Sequence, residues 1–398
     1  MRVSTESIRP VLVAVVVAGV LTAVLVQLRG VPLWMADFDV YLAAGNAARQ
    51  GHSLYDLRID TAAFSDMKYT YPPFAAVLFE PLTFLSGIVV QSLSVFANAL
   101  AMGGVLWLAL GMAGVTDRRR KASFMAAGIV ATMLLTPVLA NTALGQVNVL
   151  VMLAVLVDFS PAMPKRWRGV ATGFVVGVKL LPVLFVAYFV CTGSWKPAAR
   201  AIVTFLGTVV VGFLVLPADS REYWLRGVVF EANRVADLAD VQNQSVPGLI
   251  ARASYGLSNS VWWLPVSALV AAAGLFGATW AYRRGEELLA LTVVAFTGIL
   301  ASPVTWPHHV VWIVPVLVWL WYARWNADSR LPRIVFGLLV LWFVVPTFVL
   351  AVPESWRDHQ LTVAQQVVVA VSGYFVITVV ALALLPVWSR RLRTVEVT

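Results

Sequence analysis

Apolar runs of about twenty residues recur along this chain from end to end, the length a helix needs to cross the hydrocarbon core of a bilayer. Backbone N–H and C=O groups find no water in that core. A chain of this kind therefore buries its runs as helices that satisfy their own backbone. A barrel would need short alternating strands instead. Of 398 residues, 60% are hydrophobic and 12% charged, against about 25% charged in a soluble domain. The fold class is an all-α polytopic membrane protein, a single integral domain over residues 1–398.

The net charge of +9 is not spread over a face. It sits in short connections: Arg118-Arg119-Arg120-Lys121, Lys165-Arg166-Trp167-Arg168, Arg283-Arg284, Arg330 to Arg333, and Arg390-Arg391. Lys and Arg gathered between apolar spans mark cytoplasmic loops, so the excess reports topology and gives no reason to expect a nucleic-acid partner. Val11 to Leu28, after Arg2 and Arg9, reads as a retained signal anchor, because its apolar run is longer than that of a cleaved signal. Counting onward gives about twelve spans with both termini cytoplasmic. Two connections are long, 29–86 and 218–260, and both fall outside. Spans are expected near 88–114, 122–140, 199–217, 261–282 and 287–301. Within the first outer loop a helix is expected over Val40 to Arg49, ended by Gly51, and an interfacial or re-entrant helix over Phe74 to Leu85. Residues 169–192 must go out and return, as two short arms meeting near Lys179 and Pro182. Cys191 is the only cysteine, which excludes an internal disulfide or a cysteine-rich metal site.

On this topology Asp37, Asp39, Tyr71, Gln146, Asn148, Lys179, Gln244, His308 and His309 all lie at or near the outer surface. Only the outer connections are long enough to build a site, so one extracytoplasmic pocket is expected. Each group has a plainer reading. Asp37 is either a helix cap or a general base, and Asp39 suits a solvated position. Lys179 stands among Val176, Val178, Leu180 and Leu181; an ionisable group there either binds an anion or closes an ion pair. Adjacent histidines point about 100° apart on a helix and lack a metal-site spacing such as HExxH. His308 and His309 thus suit an anion at a helix start, or a structural role, better than a metal. No cofactor is expected. An outside enzyme with an anion pocket points to an activated substrate delivered through the lipid.

Taken together, Asp37-Phe38-Asp39-Val40-Tyr41, Tyr71-Pro72-Pro73-Phe74, Gly145-Gln146-Val147-Asn148, Gly177-Val178-Lys179-Leu180, Asn243-Gln244-Ser245, and Ser302-Pro303 through Trp306 to His308-His309 resemble the polytopic glycosyltransferases of family 87. The likeness is strongest to the actinobacterial α-(1→2)-mannosyltransferases that build phosphatidylinositol mannosides and lipomannan. It covers nearly the whole chain. It implies a GT-C fold and inverting transfer of mannose from polyprenyl-phosphate-mannose to a mannosylated glycolipid on the extracytoplasmic face. Its Asp-x-x-Val-Tyr motif implies that Asp37 is the catalytic base, and it places the arm lysine and the histidine pair near the donor phosphate. Asn148, Gln146, Gln244, Asp39 and Tyr71 are then substrate contacts. Thr305, Pro307, Ala143-Leu144 and Val246-Pro247 depart from the family pattern and bear on the acceptor. The alternative from another class is a transporter or flippase of a lipid-linked sugar, which shares spans and an intramembrane lysine but commonly shows inverted repeats.

Overall fold

The computed structural model describes residues 16, 20, 33–254, 262–323, 330–345, 350–353, 356 and 361–372. The expected first span at 10–28, most of the last at 366–387, and both termini lie outside the described residues. Among the described residues the chain is helical. Among the described residues the only β feature is an isolated bridge between Ile59 and Met67.

The helices in chain order begin with α1 (Ala36–Gln50), α2 (Pro73–Phe79, continued by a 3-10 turn over Glu80–Phe84), α3 (Gly87–Met112) and α4 (Arg118–Thr132). There follow α5 (Thr136–Ala143), α6 (Asn148–Phe159), α7 (Val170–Val178), α8 (Val183–Cys191) and α9 (Trp195–Val215). Then come α10 (Pro217–Trp224), α11 (Val246–Ala253), α12 (Trp263–Tyr282) and α13 (Glu287–Ala301). A 3-10 segment, Pro307–Trp312, leads into α14 (Ile313–Val318); α15 (Leu331–Val344) and α16 (Val363–Ser372) close the described chain.

Helices α3, α9 and α12, of 26, 21 and 20 residues, are long and apolar enough to cross a membrane, and α4 with α5 adds a fourth if the pair is one broken span. On α9 and α12 the apolar side chains point outward: Leu214 is 77% exposed and Phe276 76%. Apolar surface of that extent has a stable home in lipid, and the protein is a membrane protein. Helix α13 is the opposite case. Every residue from Leu288 to Ala301 is buried, so it is enclosed on all sides and lies within the core. At 15 residues it is about 22 Å long, short of the roughly 30 Å hydrocarbon thickness.

The continuous span expected at 122–140 is not formed. The chain breaks after Thr132 and α5 leaves α4 at 74°. Pro137 stands in the first turn of α5, where it lacks the N–H that would have continued α4. Residues 169–192 form α7 and α8, joined at Lys179 to Pro182.

Helix α7 seats on α9 through glycines at a four-residue spacing. A Cβ on Gly169 would overlap the Pro197 carbonyl, one on Gly173 the Ala201 carbonyl, and one on Gly177 the Thr208 side chain. Small residues at this spacing let helix backbones touch. Two of the three obstacles are backbone, which cannot rotate away. Gly173→Ala is therefore expected to cost about 1–3 kcal/mol through overpacking, read as a lower melting temperature in detergent. Gly207→Ala, on α9 with nothing near its Cβ position, is the matched control and should be neutral.

The two segments expected to form the long loops pack on each other. Val40, Ala44, Leu54, Tyr55, Tyr69, Leu216 and Tyr223 share one apolar cluster. Asp219 accepts the Leu54 backbone N–H at 2.8 Å, and Arg234 donates to the carbonyls of Tyr69 and Tyr55. The loop that follows Gln242 is fastened instead to the 302–306 tip. Asn243 and Ser245 donate to the Pro303 carbonyl at 2.9 and 3.0 Å, and the Gln244 backbone N–H donates to Thr305 at 2.8 Å.

Candidate active site

Helix α1 starts at Ala36, four residues before the expected Val40, because its first backbone donors are met from elsewhere in the chain. Met35 N–H donates to the Ala143 carbonyl at 2.9 Å, and the Asp37 and Phe38 N–H groups donate to Leu144 at 3.1 and 3.2 Å. The C-terminal end of α5 thus caps α1. The turn after α5 needs Gly145 at φ +69°. A Cβ there would overlap Phe38 Cβ and Met35 Sδ, so the two ends meet only over glycine. Asp37 falls in the first helical turn, and the N-cap is Met35 with no side-chain cap bond. The capping reading of Asp37 is thereby excluded.

Freed from capping, the Asp37 carboxylate faces Gln146 and Lys179. It keeps part of its surface open, yet protein crowds it on most sides. That burial pushes its pKa up to about 6, against the opposing pull of the Gln146 hydrogen bond and the Lys179 charge.

Gln146 is the hub. Its Oε1 accepts from Tyr41 Oη at 3.0 Å and from Lys179 Nζ at 3.3 Å. Its Nε2 donates to Tyr71 Oη at 3.4 Å, and the amide favours the charged form of the neighbouring Asp37. The amide orientation follows from charge: turned over, its NH2 would meet the ammonium and its carbonyl the carboxylate. Behind it, Asn141 Nδ2 donates to the Gln146 carbonyl at 3.2 Å and to Asn98 Oδ1 of α3 at 2.9 Å. Tyr41 stacks on Phe79 at 4.6 Å.

Lys179 ends α7 and is held at 2.8 Å by Asn148 Oδ1. Asn148 opens α6 and also donates to the His308 carbonyl at 3.1 Å. The Lys179 ammonium stands 3.5 Å from His309 Nε2. His309 Nδ1 accepts the Trp306 backbone N–H at 3.3 Å, which assigns the neutral ring's proton to Nε2. Two N–H donors then face each other with no acceptor between them. An anion held between them would supply that acceptor. His308, ring to ring with His309 at 4.6 Å, is buried with Nε2 unpaired.

Asp37, Tyr71, Gln146, Asn148, Lys179 and the histidine pair thus come together from α1, the segment before α2, the α5–α6 turn, α7 and the 307–312 segment. Two expected residues stand apart. Asp39 is about 200° around α1 from Asp37 and half-buried. Gln244 belongs to the loop bound to the 302–306 tip, and its buried Oε1 has no partner. Among the described residues no hydrogen bond joins either one to the Gln146 hub. Sequence reading passed over Tyr41, Asn98 and Asn141 as functional groups. Tyr41 was visible as the end of the Asp37 motif; Asn98 was signalled only as an amide inside an apolar span.

Comparison with known proteins adds a relationship. The model of glycosyltransferase family 87 matches residues 69–303, beginning after Asp37 and stopping short of His308. A polyprenol-phosphate-mannose-dependent alpha-(1-2)-phosphatidylinositol mannoside mannosyltransferase of Mycobacterium tuberculosis is 31% identical over 314 residues, 75% of this chain and 73% of the relative. A second M. tuberculosis relative, the corresponding phosphatidylinositol pentamannoside mannosyltransferase, is 32% identical over 81% of this chain and 74% of its own length. A phosphatidylinositol mannoside mannosyltransferase of Mycolicibacterium smegmatis is 32% identical over 76% and 72%. No solved structure matches.

Proposed function

Because this chain belongs to glycosyltransferase family 87, we propose that it transfers mannose from polyprenyl-phosphate-mannose to a phosphatidylinositol mannoside, forming an α-(1→2) linkage with inversion. The observation that carries the reading is the gathering of the Asp37 carboxylate and the Lys179 ammonium about the single amide of Gln146, whose Oε1 accepts from Lys179 at 3.3 Å. An inverting displacement needs those two charges side by side: one group to take a proton and one to receive a leaving phosphate.

Asp37 removes the proton from the acceptor hydroxyl as its oxygen attacks the anomeric carbon. The bond from that carbon to the phosphate oxygen breaks, and the phosphate leaves with the electron pair. One base and one displacement suffice, with no second carboxylate nucleophile. The departing phosphate is a weak base and needs charge neutralisation more than a proton. Lys179 and the Nε2–H of His309 supply it. The chemistry requires neither a metal nor a cofactor.

We place this site on the extracytoplasmic side, as the end of a multi-pass bundle. Three helices run between a basic connection and the site: α6 from Asn148 toward Lys165, α7 from Arg168 to Lys179, and α13 from Arg284 to the 302–309 tip. Basic loops favour the cytoplasm, which leaves the other ends outside. All three are too short to cross the core. The site is then recessed below the surface, at a depth suited to a lipid-borne phosphate.

Membranes holding the protein, given labelled polyprenyl-phosphate-mannose and phosphatidylinositol mannosides of several lengths, should form a new glycosidic bond. Movement of donor across the bilayer without that bond would mean a transporter. The same assay carries a pH signature. Asp37 works deprotonated and its pKa is raised to about 6, so kcat/KM should be level above that value. It should fall about tenfold per pH unit below it, provided Asp37 is the base.

A further inference from the structure

The hydroxyls of Tyr41 and Tyr71 lie 3.1 Å apart, Tyr41 Oη is 3.0 Å from Gln146 Oε1, and Gln146 Nε2 is 3.4 Å from Tyr71 Oη. These contacts close into a ring in which each group gives one proton and takes one. Tyr41 donates to Oε1, Nε2 donates to Tyr71, and Tyr71 donates back to Tyr41. The second Nε2 proton is then left for Asp37. Tyr41 is 1% exposed and Gln146 2%, so water does not replace a missing member.

We propose that Tyr41 is a positioning residue for the transfer reaction: its hydroxyl fixes the Gln146 amide so that Nε2 faces the Asp37 carboxylate. This rests on the assignment of Asp37 as base. The groups facing Asp37 are Gln146 from the α5–α6 turn, Lys179 from the end of α7, Tyr71 ahead of α2, and, beyond Lys179, the histidine pair; Asp39 shares its helix but leaves from the far side. Of these, Gln146 alone is aligned by two donors on one atom, Tyr41 and Lys179. Lys179 does not fix the amide alone, because its ammonium is shared with Asn148. Without the Tyr41 hydroxyl the amide swings on one contact, and the carboxylate loses a donor to its charged form.

The test is the pH dependence of kcat/KM in Tyr41→Phe, Gln146→Leu and the double variant, with Asp37→Asn alongside. Tyr41→Phe keeps the ring and its stack on Phe79, and an unchanged melting temperature checks the fold. The acid limb of Tyr41→Phe should move up by about one pH unit, and that of Gln146→Leu by at least as much. The double variant should move no further than Gln146→Leu, since one residue acts through the other. A merely structural Tyr41 would lower the rate without moving the limb, or would add to the Gln146 effect; either result overturns the proposal. With Asp37→Asn inactive, an unmoved limb in Tyr41→Phe sinks the Tyr41 role alone. Turnover by Asp37→Asn removes the base assignment and this proposal with it.

Discussion

Replacing Asp37 by Asn should lower kcat by about 10²–10⁴, the range a positioned general base contributes, while donor binding stays near normal. The substitution preserves shape. It also spares the helix, because α1 is capped by the carbonyls of Ala143 and Leu144 and not by this side chain. Loss of activity would therefore not be a loss of fold. Asn does accept a hydrogen bond through its oxygen, but it has no basicity for the acceptor proton. It also turns one neighbour the wrong way: if its NH2 faces Gln146 Nε2, two donors meet. A radiolabelled transfer assay, with binding of the polyprenyl-phosphate donor measured separately, reads the result. Turnover within a few-fold of the parent would reject Asp37 as the base.

Lys179→Ala should cost about 10²–10³ in rate, the usual loss when one preorganised contact to developing charge is removed. The ammonium is the bridge between Gln146, Asn148 and His309. Without it the His309 Nε2–H of the proposed site would still face the leaving phosphate, so catalysis should be reduced and not abolished. Lys179→Arg should recover only part, because a planar guanidinium does not reproduce the compact ammonium that fits between two amide oxygens. Unchanged rate and donor affinity in the Ala variant would leave Lys179 with a structural role.

What was legible in the sequence is what depends on local apolar content. Spans expected near 88–114, 199–217 and 261–282 correspond to α3, α9 and α12, since an unbroken run of Leu, Val and Ala carries its own signal; the one expected at 287–301 is the helix α13, which is too short to cross the core. The 122–140 expectation failed at Met133 to Leu135, where the apolar signal continues but Pro137 ends the hydrogen-bond ladder. The true start of α1 was hidden for a different reason. Ala36 is a poor N-terminal signal, and its donors are met from residues 143 and 144, far away in sequence. The glycines of α7 are plain in the sequence, but their meaning waits on α9. The individual polar residues could be named from sequence; that Gln146 ties Asp37 to Lys179 could not, because an amide's orientation is set by its neighbours. Asp39 shares a motif with Asp37, yet helix geometry sends the two to different sides.

The junction of Met35 with Ala143 has a consequence for biogenesis. Helix α1 leaves the ribosome long before α5, and until α5 arrives the first amides of α1 have no acceptor in the protein. The carboxylate at position 37 then stays hydrated, with the ordinary acidity of a free aspartate. Closure of this long-range contact is one of the steps that bury it and raise its pKa. A chain ending before residue 143 lacks the carbonyls that hold the start of α1, so this arrangement can form only after α5 has emerged.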